Sequence, residues 1–381
     1  MLLNLIITGS TGIIGRHVLY EYLAKYAEGR LQGKIVLPVR SDAANGKTSL
    51  QRIEELFTDV YRPDFIKQFN TTTLLRFVQV IDADLSQTCA GQFASFSNDE
   101  KYHIIHLAAS TNLNPVSEDV RAEIESVNYN GTLRLFHATK QIAKKFVFVS
   151  TAFSSGMRAG MIGDDYFNLQ QAPQFRNHYE EFKLKTEKEI AGLCKANNIE
   201  WQVLRPSIVC GRLLDAPYYA TPKFNVFYAF GKFFKMLAEK GVAAPMRLHA
   251  HVQSSLNIVP VDYTAKAIVR AAVRNDIQQL NIVHSYGASI EFIMDSILQA
   301  VGYTNYIFTE NQPEDVNAAE TIYYKSAGLQ FTPYITQPAH YFNTTTLRVL
   351  MHDIAEPSIT ENFDAIFGFA KAMGFEYGKA A

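Results

Sequence analysis

The chain predicts a doubly wound α/β fold: a parallel sheet of about seven strands carrying a smaller, discontinuous, mostly helical C-terminal substrate domain. Three observations lead there. Short apolar runs alternate with helical patterns through the first half, the first run opens directly into a glycine-spaced turn, and the alternation breaks down after Pro206. Continuous apolar runs of this length fit strands covered on both faces, which is the habit of parallel sheets with crossover helices.

The runs, in order, are LNLIITG, KIVLPVR, LLRFVQV, HIIHLAA, KFVFVST and WQVLRPS, with QLNIVHS (279–285) offering a late strand. Between Pro206 and His251, and again after Ser285, aromatic-rich helical segments replace the pattern, while LNIVPVDYTAKAIVRAAV reads as a return to the main body. The expected division is residues 1–205 plus 251–285 for a dinucleotide-binding domain and 206–250 plus 286–381 for a cap.

Composition bounds the partners. With 381 residues, 48% hydrophobic and 19% charged, the chain has ordinary globular composition and can bury a large core. A net charge of −1 supplies no field for nucleic acid or an anionic membrane. The three cysteines, Cys89, Cys194 and Cys210, are too far apart to suggest a disulfide framework or a metal pair, and a reducing cytoplasmic setting is expected. No histidine spacing suggests a metal, and the N-terminus reads as a strand and not as a signal peptide. Lys232 and Lys235 interrupt the most apolar later stretch, so no integral membrane segment is expected.

The first strand delivers Gly9-x-x-Gly12-x-x-Gly15 to the start of an amphipathic helix, the context a nucleotide fingerprint requires. Gly9 permits the tight turn, Gly12 admits a pyrophosphate, Gly15 lets helix and strand approach, and Thr11 and Ile13 lie between them. Free N–H groups at the helix N-terminus suit the anion. The second strand then places Arg40 where an acidic residue would hold the ribose 2′-hydroxyl of NAD. A guanidinium binds a 2′-phosphate instead, so NADP(H) is the expected cofactor. Asp84 and Leu85 after the third strand would flank adenine, and small Ala108 and Ala109 after the fourth would let the dinucleotide lie close.

Ser150-Thr151-Ala152 ends the next strand, and 28 residues beyond Thr151 the stretch NHYEEFKLKTE sets Tyr179 and Lys183 one helical turn apart. Beside a nicotinamide these groups make a proton-transfer apparatus, with Tyr179 as acid or base and Thr151 as donor to the carbonyl oxygen. Lys183 tunes the phenol, and the expectation is that its charge and that of the positive nicotinamide ring both draw the tyrosine pKa down from ~10.

Taken together, the glycine turn, HLAA, Ser150-Thr151-Ala152, Tyr179-x-x-x-Lys183, RPSIVCG (205–211) and VPVDY (259–263) resemble extended short-chain dehydrogenases/reductases of Rossmann type. LPVRSDAANGKTSLQRIEELF, with Arg40 followed by a helix bearing Arg52, together with VSTAF and VPVDYTAKAI, resembles the thioester-reductase and male-sterility branch, which includes fatty acyl-CoA reductases and terminal domains of carboxylic acid reductases. The resemblance implies reduction of an acyl thioester by NADPH to an aldehyde or alcohol. It makes Thr151, Tyr179 and Lys183 catalytic, sets Tyr179 and Lys183 against the cofactor, and places Pro206, Ser207, Ile208 and Val209 along the nicotinamide. The thioester would arrive from outside, on CoA or on a carrier protein. A keto-reductase, a sugar-nucleotide epimerase or dehydratase, and a non-catalytic NADP-sensing protein share enough of this pattern to stand as alternatives.

On the substrate side, Phe224, Phe227, Phe230, Phe234 and Leu237 recur at helical spacing. Such a stripe is either core packing or one wall of an acyl groove. Arg247 and His249 are either solvated charges or contacts for a substrate anion.

Overall fold

The computed structural model describes residues 1–158, 160–166, 173–242 and 244–376. Seven parallel strands form the central sheet: β1 (Asn4–Thr8), β2 (Ile35–Val39), β3 (Val78–Asp82), β4 (Tyr102–His106), β5 (Ala143–Val149), β6 (Glu200–Pro206) and β7 (Gln279–Ile282). Their spatial order is β7-β6-β5-β4-β1-β2-β3. The order reverses between β1 and β4, and ligands of such sheets gather in the crevice at the carboxyl ends there. The register aligns those ends, since Thr8 of β1 lies against His106 of β4.

The strands form where the apolar runs lie, with one exception. LLRFVQV divides: Thr71–Leu75 is a short helix, and β3 begins only at Val78. The reason is local, because Asn70 caps that helix by accepting from the Thr73 N–H at 2.8 Å.

Seven helices matter for the site: α1 (Ile13–Ala27), α2 (Ser49–Thr58), α3 (Glu118–Ile124), α4 (Gly131–Thr139), α5 (His178–Ala196), α6 (Phe227–Glu239) and α7 (Val261–Ala272). A π-helical turn, Glu125–Asn130, joins α3 to α4. Helices α1 and α7 pack together on one face of the sheet, where Lys266 of α7 bonds Glu21 at 2.5 Å and Asp215 at 3.0 Å. Asp262, buried at the start of α7, accepts from the backbone N–H groups of Leu213, Leu214 and Asp215 at 3.0, 2.6 and 2.8 Å. The VPVDY motif therefore shapes the loop that leaves the sheet toward the cap.

A second apolar core lies among α6 and the helices Ile290–Val301, Ala318–Lys325, Ala327–Ile335 and Ile359–Ala372. Phe227, Phe230, Phe234 and Leu237 are inside it, and Phe224 packs at its edge. The aromatic stripe is thus core, and an acyl groove on that face is ruled out. Gly231 lets the helices close, since a Cβ there would sit 2.4 Å from the Phe367 ring. Not all of the tail keeps to this core: Leu347, Leu350 and Met351 pack with α7 in the core under the sheet.

Candidate active site

The turn after β1 is built by its glycines. Gly9 has φ +69°, and a Cβ on Gly15 would stand 2.0 Å from the Gly9 carbonyl oxygen. Gly12 caps α1 with no side chain over the helix end, so the first N–H groups of α1 face the crevice. A dinucleotide pyrophosphate fits this cradle by both shape and charge.

Two adjoining cavities occupy the crevice. The larger, about 710 Å³, is lined by Gly9, Thr11, Gly12, Arg40, Asp84, Leu85, Ala108 and Ala109, all of them expected cofactor residues. The smaller, about 260 Å³, holds Ile13, Gly15, Ser207 and Ile208 together with Thr151, Tyr179 and Lys183. Gly9, Gly12 and Ala109 line both. Pro206 is the departure. It closes β6, buried and in register with Ile282, and is not among the residues that line either cavity. Ser207, which follows it, still donates to the Ile282 carbonyl at 3.0 Å, and Ile208 pairs with Ile258 in a separate short ladder; these two line the smaller cavity.

At the end of the larger cavity where adenine is expected, Arg40 lies 3.6 Å from Asp84 and is mostly exposed. Arg52 of α2 joins it, donating to the Arg40 carbonyl and, at 3.3 Å, to Thr11 Oγ1. The capping box of Thr48 and Gln51 sets where α2 begins and so which turn carries Arg52 to this corner.

At the reacting end, β5 stops at Val149, and Thr151 caps a single 3₁₀ turn, its Oγ1 accepting from the Phe153 N–H at 3.3 Å. Helix α5 starts at the Asn177 cap and buries much of its apparently exposed sequence, including Glu180, Phe182, Lys183 and Glu187. Lys183 Nζ donates to the Val149 carbonyl at 2.9 Å and sits 5.7 Å from the Tyr179 ring centre. Burial, partly offset by Glu187, brings its pKa down to about 8.

Tyr179 corrects one expectation. Burial and the carboxylates Glu180 and Glu187 push its phenol above the ordinary value, so the lysine does not make it acidic in the chain alone. Desolvation is the largest cause, and the two carboxylates act in the same direction. Among the described residues the Tyr179 hydroxyl has no hydrogen-bond partner. Glu187 is not an ion-pair partner of Lys183 either, since its carboxylate is bonded to Arg205, Ser150 and Ser154.

Some site residues carried no signal in the sequence. Asn128, in the π-helical turn, holds the loop after β4 by accepting from the Ser110 N–H at 2.7 Å and donating to the Ser110 carbonyl at 2.9 Å. Nothing in VNYNGT announces a π-turn. Tyr334 enters the reacting cavity from the tail, held by Asn177 Nδ2 at 2.9 Å. Arg247, read from the sequence either as a solvated charge or as a contact for a substrate anion, is engaged by Glu320 and Asp315 at 2.7 and 2.6 Å.

A family model described as male sterility protein matches residues 7–268. The chain belongs to that family. As a male sterility family protein it is an extended short-chain dehydrogenase/reductase of the thioester-reductase branch, an enzyme class built on a dinucleotide-binding domain. No curated protein sequence matches it.

Among solved structures, the terminal R domain of the myxalamid PKS-NRPS biosynthetic pathway aligns with a TM-score of 0.71 at 18% identity, covering 99% of this chain and 92% of that one. UDP-glucuronic acid 4-epimerase from Bacillus cereus, in complex with NAD, aligns at 0.63 and 18% identity over 100% and 99% of the two chains. UDP-glucose 4-epimerase from Thermotoga maritima, with UDP-glucose, aligns at 0.60 and 16% over 97% and 99%. At these identities the likeness is one of fold. Among the described residues no helix is long and apolar enough to cross a membrane.

Proposed function

We propose that this male sterility family protein is an NADPH-dependent reductase of acyl thioesters, carried on CoA or on a carrier protein, that releases an aldehyde or alcohol. The observation that carries the reading is one cavity lined jointly by the glycine turn and by Thr151, Tyr179 and Lys183. Arg40 and Arg52 at the far end support NADPH over NADH, because two guanidiniums suit a 2′-phosphate. Residues 1–205 and 251–285 would hold the cofactor, joined by Ser207 and Ile208, and the rest would serve as cap apart from Leu347, Leu350 and Met351 in the core under the sheet.

Bound NADPH supplies the hydride. The chain supplies the rest. A phenol that burial keeps protonated is poised as the acid, so Tyr179 gives its proton to the substrate oxygen. Thr151 Oγ1 accepts from the Phe153 N–H, an interaction that leaves its O–H to donate to the same oxygen. Lys183, cationic below about pH 8, favours the phenolate left behind. In balance, one thioester, one NADPH and one proton give an aldehyde, a free thiol and NADP⁺.

The test follows NADPH absorbance and free thiol together against acyl-CoAs, ketones and UDP-sugars. Stoichiometric thiol release is expected with the acyl-CoAs. Cofactor oxidation on ketones without thiol, or sugar epimerisation with no net oxidation, would replace this reading by the keto-reductase or the epimerase.

A further inference from the structure

Tyr179, Lys183 and Glu187 follow one another at intervals of one turn on the same face of α5. The first two line the reacting cavity, and Glu187 lies a turn deeper with no exposed surface. Both of its oxygens are engaged. Oε1 accepts from the Ser150 hydroxyl and, at 2.6 Å, from that of Ser154. Oε2 accepts from Arg205 Nε and Nη2 at 3.0 and 2.8 Å. Arg205, equally buried, continues to Gln279 Oε1 on β7 at 2.7 Å. One carboxylate thus ties α5 to the turn that follows β5 and to β6 directly, and to β7 through Arg205.

The two grips at the end of β5 fall on consecutive residues. Lys183 holds Val149, Glu187 holds Ser150, and Thr151 comes next. An apolar pair of the same volume would stabilise the interior about as well as a buried ion pair. What the charges add is direction, because hydrogen bonds to two serines allow one register of helix against strand end.

We propose that Glu187 is the positioning residue of this centre: it keeps Lys183 cationic and seated against the end of β5, acting through Ser150 and Ser154 and never on the substrate. This rests on the reading of Lys183 as a cofactor-binding and catalytic group. The titratable and charged groups around Lys183 are Tyr179 and Glu187 on α5 and His106 on β4, with Arg205 on β6 behind Glu187. His106 is neutral, its pKa lowered to about 3 by burial and by Lys183 itself. Glu187 is therefore the anion that opposes the desolvation of the lysine.

The experiment is NADPH binding to the full chain, followed by nicotinamide fluorescence between about pH 6 and about pH 10. Wild-type affinity should fall through about pH 8 as Lys183 loses its proton. Glu187→Gln, nearly isosteric, should move that midpoint down by about one pH unit with the circular dichroism unchanged. A midpoint equal to that of the wild type overturns the proposal. Should the single variant fail to fold, Glu187→Gln combined with Arg205→Met removes both buried charges and reads the same midpoint against the same criterion. Lys183→Met separates the two ideas. Its alkaline limb should vanish, and a limb that persists refutes the assignment of Lys183 itself, whatever Glu187 does.

Discussion

Arg52 reaches across from α2 to hold the backbone carbonyl of Arg40, so two guanidiniums stand at one corner of the larger cavity. Arg40 alone is an exposed strand-end charge. Arg52 anchors that strand end and, with a second contact at Thr11, brings its own charge to the same place.

The pair should therefore set cofactor preference. Arg52→Ala is expected to weaken NADPH about 10- to 100-fold, the worth of a charge-assisted bond to a phosphate, and to leave NADH within a few-fold. Parallel fluorescence titrations with the two cofactors measure it; equal losses for both would show that Arg52 only shapes the loop.

Tyr179→Phe removes a hydroxyl and little else. Turnover should fall about 100- to 10,000-fold, the usual range for a lost general acid, while NADPH affinity stays near that of the wild type. Steady-state rates beside a binding titration separate the two, and a fully active variant would exclude Tyr179 as the proton donor.

Buried His106 should make the fold acid-sensitive. It lies between Thr8 Oγ1 and Thr132 Oγ1 at 2.6 and 2.8 Å, with its pKa lowered to about 3 by burial and then by Lys183. A depressed folded pKa means that the unfolded chain binds the extra proton, so this contribution is complete above about pH 6.5 and drains away toward pH 3. Between pH 7 and pH 4 the wild type should lose of order 3 kcal/mol more than His106→Gln, as read by urea denaturation at the two pH values. His103 and His340, both lowered to about 4 mainly by burial, should leave a residual acid slope in the variant.

The two faces of α6 should behave differently. Phe230 is fully buried, and Phe230→Ala is expected to cost about 3–5 kcal/mol. Met236, 37% exposed on the other face, should tolerate alanine within about 1 kcal/mol. Thermal melts of the two variants measure the difference, and equal losses would contradict it.

Glycines separate in the same way. Gly15→Ala drives a Cβ into the Gly9 carbonyl and should abolish NADPH binding. Gly192, exposed on α5 with nothing within 4 Å of an added Cβ, should give about 0.5–1 kcal/mol of stabilisation as alanine with cofactor binding intact. A destabilised Gly192→Ala would mean that this part of α5 needs the freedom glycine allows.

Much of the architecture was legible in the chain because it is written in local terms. Apolar run length marks strands buried on both faces, glycine spacing marks the turn after β1, and four-residue spacing sets Tyr179 over Lys183. Those rules depend on neighbours in sequence, so they survive without knowledge of the fold. What tertiary structure alone decided was which face of α6 is buried, the arrival of Tyr334 from the tail, the π-turn that brings Asn128 to Ser110, and the state of the tyrosine proton. The last shows the reason. A pKa answers to the summed desolvation and charge around a group, and for Tyr179 the burial and carboxylates that raise it are set by how α5 packs on the sheet, which spacing along the chain does not encode.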